Sequence, residues 1–92
     1  MAVTAARKLD IVNEKGLHAR ASARFVETVE RFDAQATVRR DGMETSGDSI
    51  MGLLMLAASK GTTIEVQTSG PEAAALAQAL ADLVADRFGE DM

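Results

Sequence analysis

Cysteine is absent from this 92-residue chain. That excludes a disulfide framework and any thiolate metal site, and suits a reducing compartment. Tryptophan and tyrosine are absent too, and the aromatic fraction of 3% is phenylalanine alone. The core must therefore be aliphatic. No stretch approaches the roughly 18 apolar residues of a membrane span; the longest runs only from Ile50 to Ala58. The opening MAVTAARKLD lacks an apolar run, so no signal peptide is expected there. A net charge of −4 disfavours nucleic acid and membrane surfaces as main partners, because both select basic faces. A cytoplasmic protein is the expectation. With one histidine and no cysteine, the usual histidine–thiolate ligand sets cannot be assembled, and a metal site is not expected.

What is present fits one domain over residues 1–92 with a thin core. Lys8 to Val12 alternates as a strand, and Asn13 to Gly16 reads as a turn. Ala21, Phe25, Val29 and Phe32 recur at helical spacing, which predicts a helix from Ala19 to about Arg31. Gln35 to Arg40 alternates again, Asp41-Gly42 is a hairpin signal, and Met43 to Ser46 returns. Ser49 suits the cap of a helix from Ile50 to about Ala58. Thr63 to Thr68 is a strand. Ser69-Gly70-Pro71-Glu72 matches a capping box before a last helix that carries Leu76, Leu80, Leu83, Val84 and Arg87 inward and ends near Phe88. Residues 89–92 are expected to fray. The order is β-α-β-β-α-β-α, an α+β arrangement with one covered sheet face.

The stretch Asn13-Glu14-Lys15-Gly16-Leu17-His18-Ala19-Arg20 holds the lone histidine where a strand hands over to a helix. A helix N-terminus has unpaired N–H groups and a partial positive charge, both suited to an anion. A phosphoryl group on His18 would be such an anion. The N–H groups of Ala19, Arg20 and Ala21 are candidate donors to it, and the Arg20 guanidinium can fork onto its oxygens. The same positive environment favours the neutral imidazole, the form that attacks phosphorus, and stabilises charge on the transferring group. On spacing alone, a histidine here is more often only a helix cap or a surface residue.

Gly16-Leu17-His18-Ala19-Arg20 resembles the active-site signature of the HPr family, the histidine-containing phosphocarriers of the phosphoenolpyruvate:sugar phosphotransferase system. A second segment, Asp48-Ser49-Ile50-Met51-Gly52-Leu53 with Lys60-Gly61 downstream, resembles that family's regulatory-serine region. The resemblance covers nearly the whole chain. It implies an open-faced sandwich, a four-stranded antiparallel sheet with three helices on one face. It also implies that His18 accepts a phosphoryl group through Nδ1 from enzyme I and passes it to enzyme IIA-type domains, with Arg20 stabilising the phosphate. Such a protein is a carrier with a phosphohistidine intermediate rather than a stand-alone enzyme, monomeric and without cofactor. Ser49 matches the serine that HPr kinase/phosphorylase modifies. The family proline after His-x-Arg is Ala21 here, followed by Ser22. Alanine keeps an N–H that proline lacks and leaves the first turn less rigid. Carriers with Ala-Ser at this place look like those of a regulatory, nitrogen-type branch.

Ser49 reads as a plain N-cap without the family, and as a cap that is also a regulatory phosphorylation site with it. The run from Ile50 to Leu56 is apolar nearly all round, more than one helix face can bury. Leu17, Met51, Gly52 and Met55 are the candidate docking patch near His18, since methionine suits a surface that meets several partners. A fully buried helix or a dimer contact are the other readings of that run. A phosphate on Ser49, carrying about −1.5 to −2 charge, would disturb docking without reshaping the fold. Two further classes fit less well: a binding regulator controlled only through Ser49, which would not need His18 and Arg20, and a ligand- or RNA-binding module, which would need basic stripes and stacking aromatics.

Overall fold

The computed structural model describes residues 4–92; the first three residues of the expected domain lie outside it. The elements are β1 Thr4–Asp10, α1 Ala19–Glu30, β2 Gln35–Arg40, β3 Met43–Ser46, α2 Ile50–Met55, β4 Thr63–Ser69 and α3 Ala73–Ala85, followed by a turn at Arg87–Gly89. The strands form one antiparallel sheet in the order β1-β4-β2-β3. Central β4 pairs with β1 from Thr4↔Ser69 to Asp10↔Thr63, and with β2 from Gln35↔Ser69 to Arg39↔Glu65. The period-two pattern fixes which residues go inward. Val38, Ile64 and Val66 are buried, while Arg39, Glu65 and Gln67 stay exposed on the other face.

The helices cover the apolar face. Phe25 and Val29 from α1, Leu53 from α2, and Leu76, Leu80 and Val84 from α3 meet the strand residues in one core. Burying each large side chain is worth roughly 1.5–3 kcal/mol. The charged stripe of α1, with Arg24, Glu27, Glu30 and Arg31, faces water as the helical spacing requires.

Several boundaries differ from the sequence reading, each for a local reason. β1 reaches back beyond Lys8 to Thr4, the first described residue, because β4 offers partners up to Ser69, although Thr4 to Arg7 carries no apolar alternation. α2 stops at Met55, short of Ala58. Ala57 takes φ +52°, which ends the helix, and the Ala58 carbonyl accepts the Leu17 N–H at 2.8 Å instead. The capping box at Ser69 does not form. Ser69 completes β4, and the cap of α3 is Glu72, without a side-chain cap bond. Glu72 instead accepts the Asp33 N–H at 2.7 Å, tying α3 to the turn after α1. Arg87 points to solvent rather than inward, and Phe88 takes the core position.

Candidate functional site

The site is built where β1 hands over to α1. Ile11 extends the strand path beyond Asp10: its N–H donates to Thr62 O and its carbonyl accepts from Gly61 N, both at 2.9 Å. The chain then turns through Asn13 to Gly16. Gly16 has φ +67°, and its backbone lies so close to the loop after α2 that a Cβ would sit 2.5 Å from Ala58 O. That close approach lets Leu17 hydrogen-bond to Ala58 and bury its side chain. His18 follows as the N-cap of α1, with extended backbone. Its carbonyl accepts the first helical bond, from Ser22 N at 2.8 Å, and the buried Ser22 hydroxyl donates to Leu17 O. Glycine therefore sets the turn, leucine anchors it, and histidine is left at the helix end.

The His18 ring, 28% exposed, is held on both edges. The Arg20 N–H donates to Nδ1 at 3.2 Å. Nε2 pairs with Glu90 Oε2. Because a carboxylate only accepts, the neutral ring carries its proton on Nε2 and its lone pair on Nδ1. That lone pair points at the N-terminus of α1. The cap reading and the chemical reading of His18 thus describe one geometry. The Arg20 guanidinium makes no ion pair among the described residues. It lines a shallow open depression with His18, Ala19, Lys15, Arg24, Glu14 and the segment Gly89 to Met92.

Glu90 and Asn13 were not legible as site residues. Asn13 is wholly buried, and its amide nitrogen donates at 2.8 Å both to Gly16 O and to Glu90 Oε1. Burial raises the Glu90 pKa, but hydrogen bonds from Asn13 and His18, with the charges of His18 and Lys15, outweigh it and hold the carboxyl below its usual 4.5. The segment expected to fray is therefore engaged at Glu90, because Phe88 is buried and the turn after it carries the chain back to His18.

The second predicted cluster divides. Ser49 is the N-cap of α2, and its hydroxyl accepts the Gly52 N–H at 3.1 Å. Met51 and Met55 are 69% and 66% exposed, and Ile50 joins them at the surface. These are large values for methionine, so α2 leaves an apolar strip in water. Leu17 is not part of it, since it is 4% exposed and anchors the His18 turn in the core. Gly52 turns toward β3 rather than outward: a Cβ there would meet Thr45 Oγ1 at 1.8 Å. Of the expected donors, the Arg20 N–H already faces the ring, Ala19 is exposed, and Ala21 is buried in the first turn. No group of three or more metal-ligating side chains occurs among the described residues, and no helix there is long and apolar enough to cross a membrane.

Comparison with known proteins agrees with this arrangement. The family model described as the PTS HPr component phosphorylation site matches residues 5–86. The phosphocarrier protein HPr of Neisseria meningitidis serogroup A is 45% identical over 84 residues, covering 91% of this chain and 94% of that protein. The phosphocarrier protein NPr of Escherichia coli is 36% identical over 90 residues, covering 97% and 100%. Among solved structures, an HPr from Thermoanaerobacter tengcongensis superposes with a TM-score of 0.90 at 34% identity, covering 96% of this chain and 99% of that one.

Proposed function

The chain belongs to the HPr family of phosphocarriers of the phosphotransferase system, and from that premise we propose that His18 is the atom-level carrier, through Nδ1. The observation that carries this reading is the ring geometry: the only histidine presents its Nδ1 lone pair to a helix N-terminus while Nε2 holds the proton. In acceptance, that lone pair bonds to phosphorus as the donor's bond to phosphorus breaks. The Arg20 N–H, which now caps onto Nδ1, transfers its hydrogen bond to a phosphoryl oxygen, joined by the N–H of exposed Ala19 and the Arg20 guanidinium. Donation runs the same path in reverse. The donor is enzyme I and the acceptors are enzyme IIA-type domains, in the cytoplasm, with the carrier acting as a monomer. Incubation with enzyme I and phosphoenolpyruvate should give an acid-labile, base-stable phosphate that His18→Ala abolishes. Absence of label on the wild-type chain would defeat the reading.

Ser49 is proposed as a second, regulatory phosphorylation site, open to an HPr kinase/phosphorylase. What supports it is position. Ser49 caps the helix whose Met51 and Met55 form the exposed strip, so a dianion there lies beside the surface that partners would cover. Ser49→Asp should slow transfer from enzyme I and leave the circular-dichroism spectrum unchanged; transfer at full speed would remove the proposal. Ala21 and Ser22 in place of the family's proline pattern support a regulatory rather than a transport branch, which phosphotransfer to each of the host's enzyme IIA domains would decide.

A further inference from the structure

Glu90 meets His18 although 72 positions separate them. Three features of the chain bring it there. Phe88 is buried and pins the end of α3 to the core. Arg87, Phe88 and Gly89 then adopt φ of +55°, +55° and +78°, reversing the chain toward α1. Two of these are residues that avoid the left-handed region unless the surroundings hold them. Lastly, the Asn13 amide clamps the carboxylate by one oxygen and the Gly16 carbonyl by the same nitrogen. The turn that presents His18 is thus the turn that aims Glu90. With one carboxylate oxygen on Asn13 and the other on Nε2, neither the ring nor the carboxylate is free to reorient.

We propose that Glu90, aimed by Asn13, is a positioning residue for phosphoryl transfer: it keeps the proton on His18 Nε2 and serves as counter-charge to the ring once Nδ1 carries the phosphoryl group. The inference rests on the reading of Nδ1 as the phosphorylated atom. The chemistry balances without a proton transfer. When the Nδ1 lone pair bonds to phosphorus, the donor's bond to phosphorus breaks and the donor keeps that electron pair. The ring becomes an N-phosphoimidazolium, its proton still on Nε2, and the Glu90 carboxylate lies opposite that positive charge. In donation the Nδ1–P bond breaks, its electron pair returns to Nδ1, and a neutral imidazole leaves. Without the Nε2 proton the leaving group would be an imidazolate anion, a far poorer one. Glu90 thus favours the ring state from which the phosphoryl group departs. Other charges face the pair: Lys15, Arg20 and Arg24 oppose added positive charge on the ring, while Glu14 and Asp91 favour it. Only Glu90 touches Nε2.

The test uses the full chain phosphorylated by enzyme I and phosphoenolpyruvate, as wild type, Glu90→Gln and Glu90→Ala. Glutamine can still accept the Nε2 hydrogen bond but removes the charge; alanine removes both. A phosphorus-31 NMR titration reads the pH at which the phosphorylated ring loses its Nε2 proton. Loss of an opposite charge in contact should lower that midpoint by about one pH unit in Glu90→Gln. Transfer to an enzyme IIA domain, assayed at a pH above both midpoints, should fall up to about tenfold, with wild-type rates returning at lower pH. A purely structural role for Glu90 would move the urea midpoint but not the titration. An unchanged titration midpoint in Glu90→Gln overturns the inference while leaving the carrier reading intact. Absence of an Nδ1 phosphate on the wild-type chain overturns the carrier reading and the inference with it.

Discussion

Gly16→Ala is the most direct test of how the fold holds the histidine. Two costs add at this position. The backbone has φ +67°, and a residue with a Cβ pays about 1–2 kcal/mol to adopt it. The new methyl would also lie 2.5 Å from Ala58 O and 2.8 Å from Ser59 Cα. Both are backbone atoms that cannot swing aside, so the turn or the loop must shift, at roughly the 1–3 kcal/mol typical of overpacking. The sum is about 2–5 kcal/mol, against a total stability on the order of 5–15 kcal/mol for a small domain. The variant should therefore fold, but less stably. Gly42→Ala is the control: its φ is +79°, yet nothing lies within 4 Å of its would-be Cβ. Strain without a clash should cost about 1–2 kcal/mol. Urea unfolding of both variants, at unchanged slope, isolates the clash as the difference. Because the shift strains the Leu17–Ala58 hydrogen bond beside His18, Gly16→Ala should also slow phosphotransfer, and Gly42→Ala should not. The reasoning fails if the two variants lose the same stability within about 0.5 kcal/mol.

Three other outcomes follow from the same structure. Phe25→Ala, at a wholly buried ring between α1 and the sheet, should lose about 3–5 kcal/mol in urea unfolding; a loss below 1 kcal/mol would mean that the core closes over the space. Ser49→Ala removes the acceptor of the Gly52 N–H and should cost about 1 kcal/mol, with unfolding at wild-type stability as the contrary result. Glu90 titrates in the folded chain below 4.5, so its pairing with Asn13 and His18 stabilises the fold above that pH and is lost as pH falls through the lowered value. The stability advantage of wild type over Glu90→Gln should shrink with acid, and a Glu90 carboxyl midpoint at or above 4.5 by NMR would contradict the assignment.

Much of this protein was readable from the chain because its determinants are local. Alternation in Gln35 to Arg40 and Thr63 to Thr68, and the Ala21-Phe25-Val29 stripe, specify faces by backbone periodicity alone, and the same residues are buried in the fold. The sequence carried His18 to a helix N-terminus because Gly16 and the following stripe are adjacent to it. It also placed Ser49 as a cap and left Met51 and Met55 too many for one buried face. Its errors arose where a distant segment claims the backbone. The Ala58 carbonyl goes to Leu17, and Glu72 goes to Asp33, so α2 ends early and the Ser69 box never forms.

By itself, then, the sequence determined the order of elements, the inward residues and the histidine at a strand-to-helix junction, since each depends on neighbours in the chain. Only the tertiary structure decided that Leu17 is an anchor rather than a contact surface, and that Asn13 and Glu90 complete the site. Leu17 and Met51 are alike as residues; their burial differs because the Gly16 turn presses one against the loop after α2 and leaves the other on an uncovered face. The pairing of Glu90 with His18 spans most of the chain. No periodicity carries information over that distance, and only packing of Phe88 into the core brings the two together.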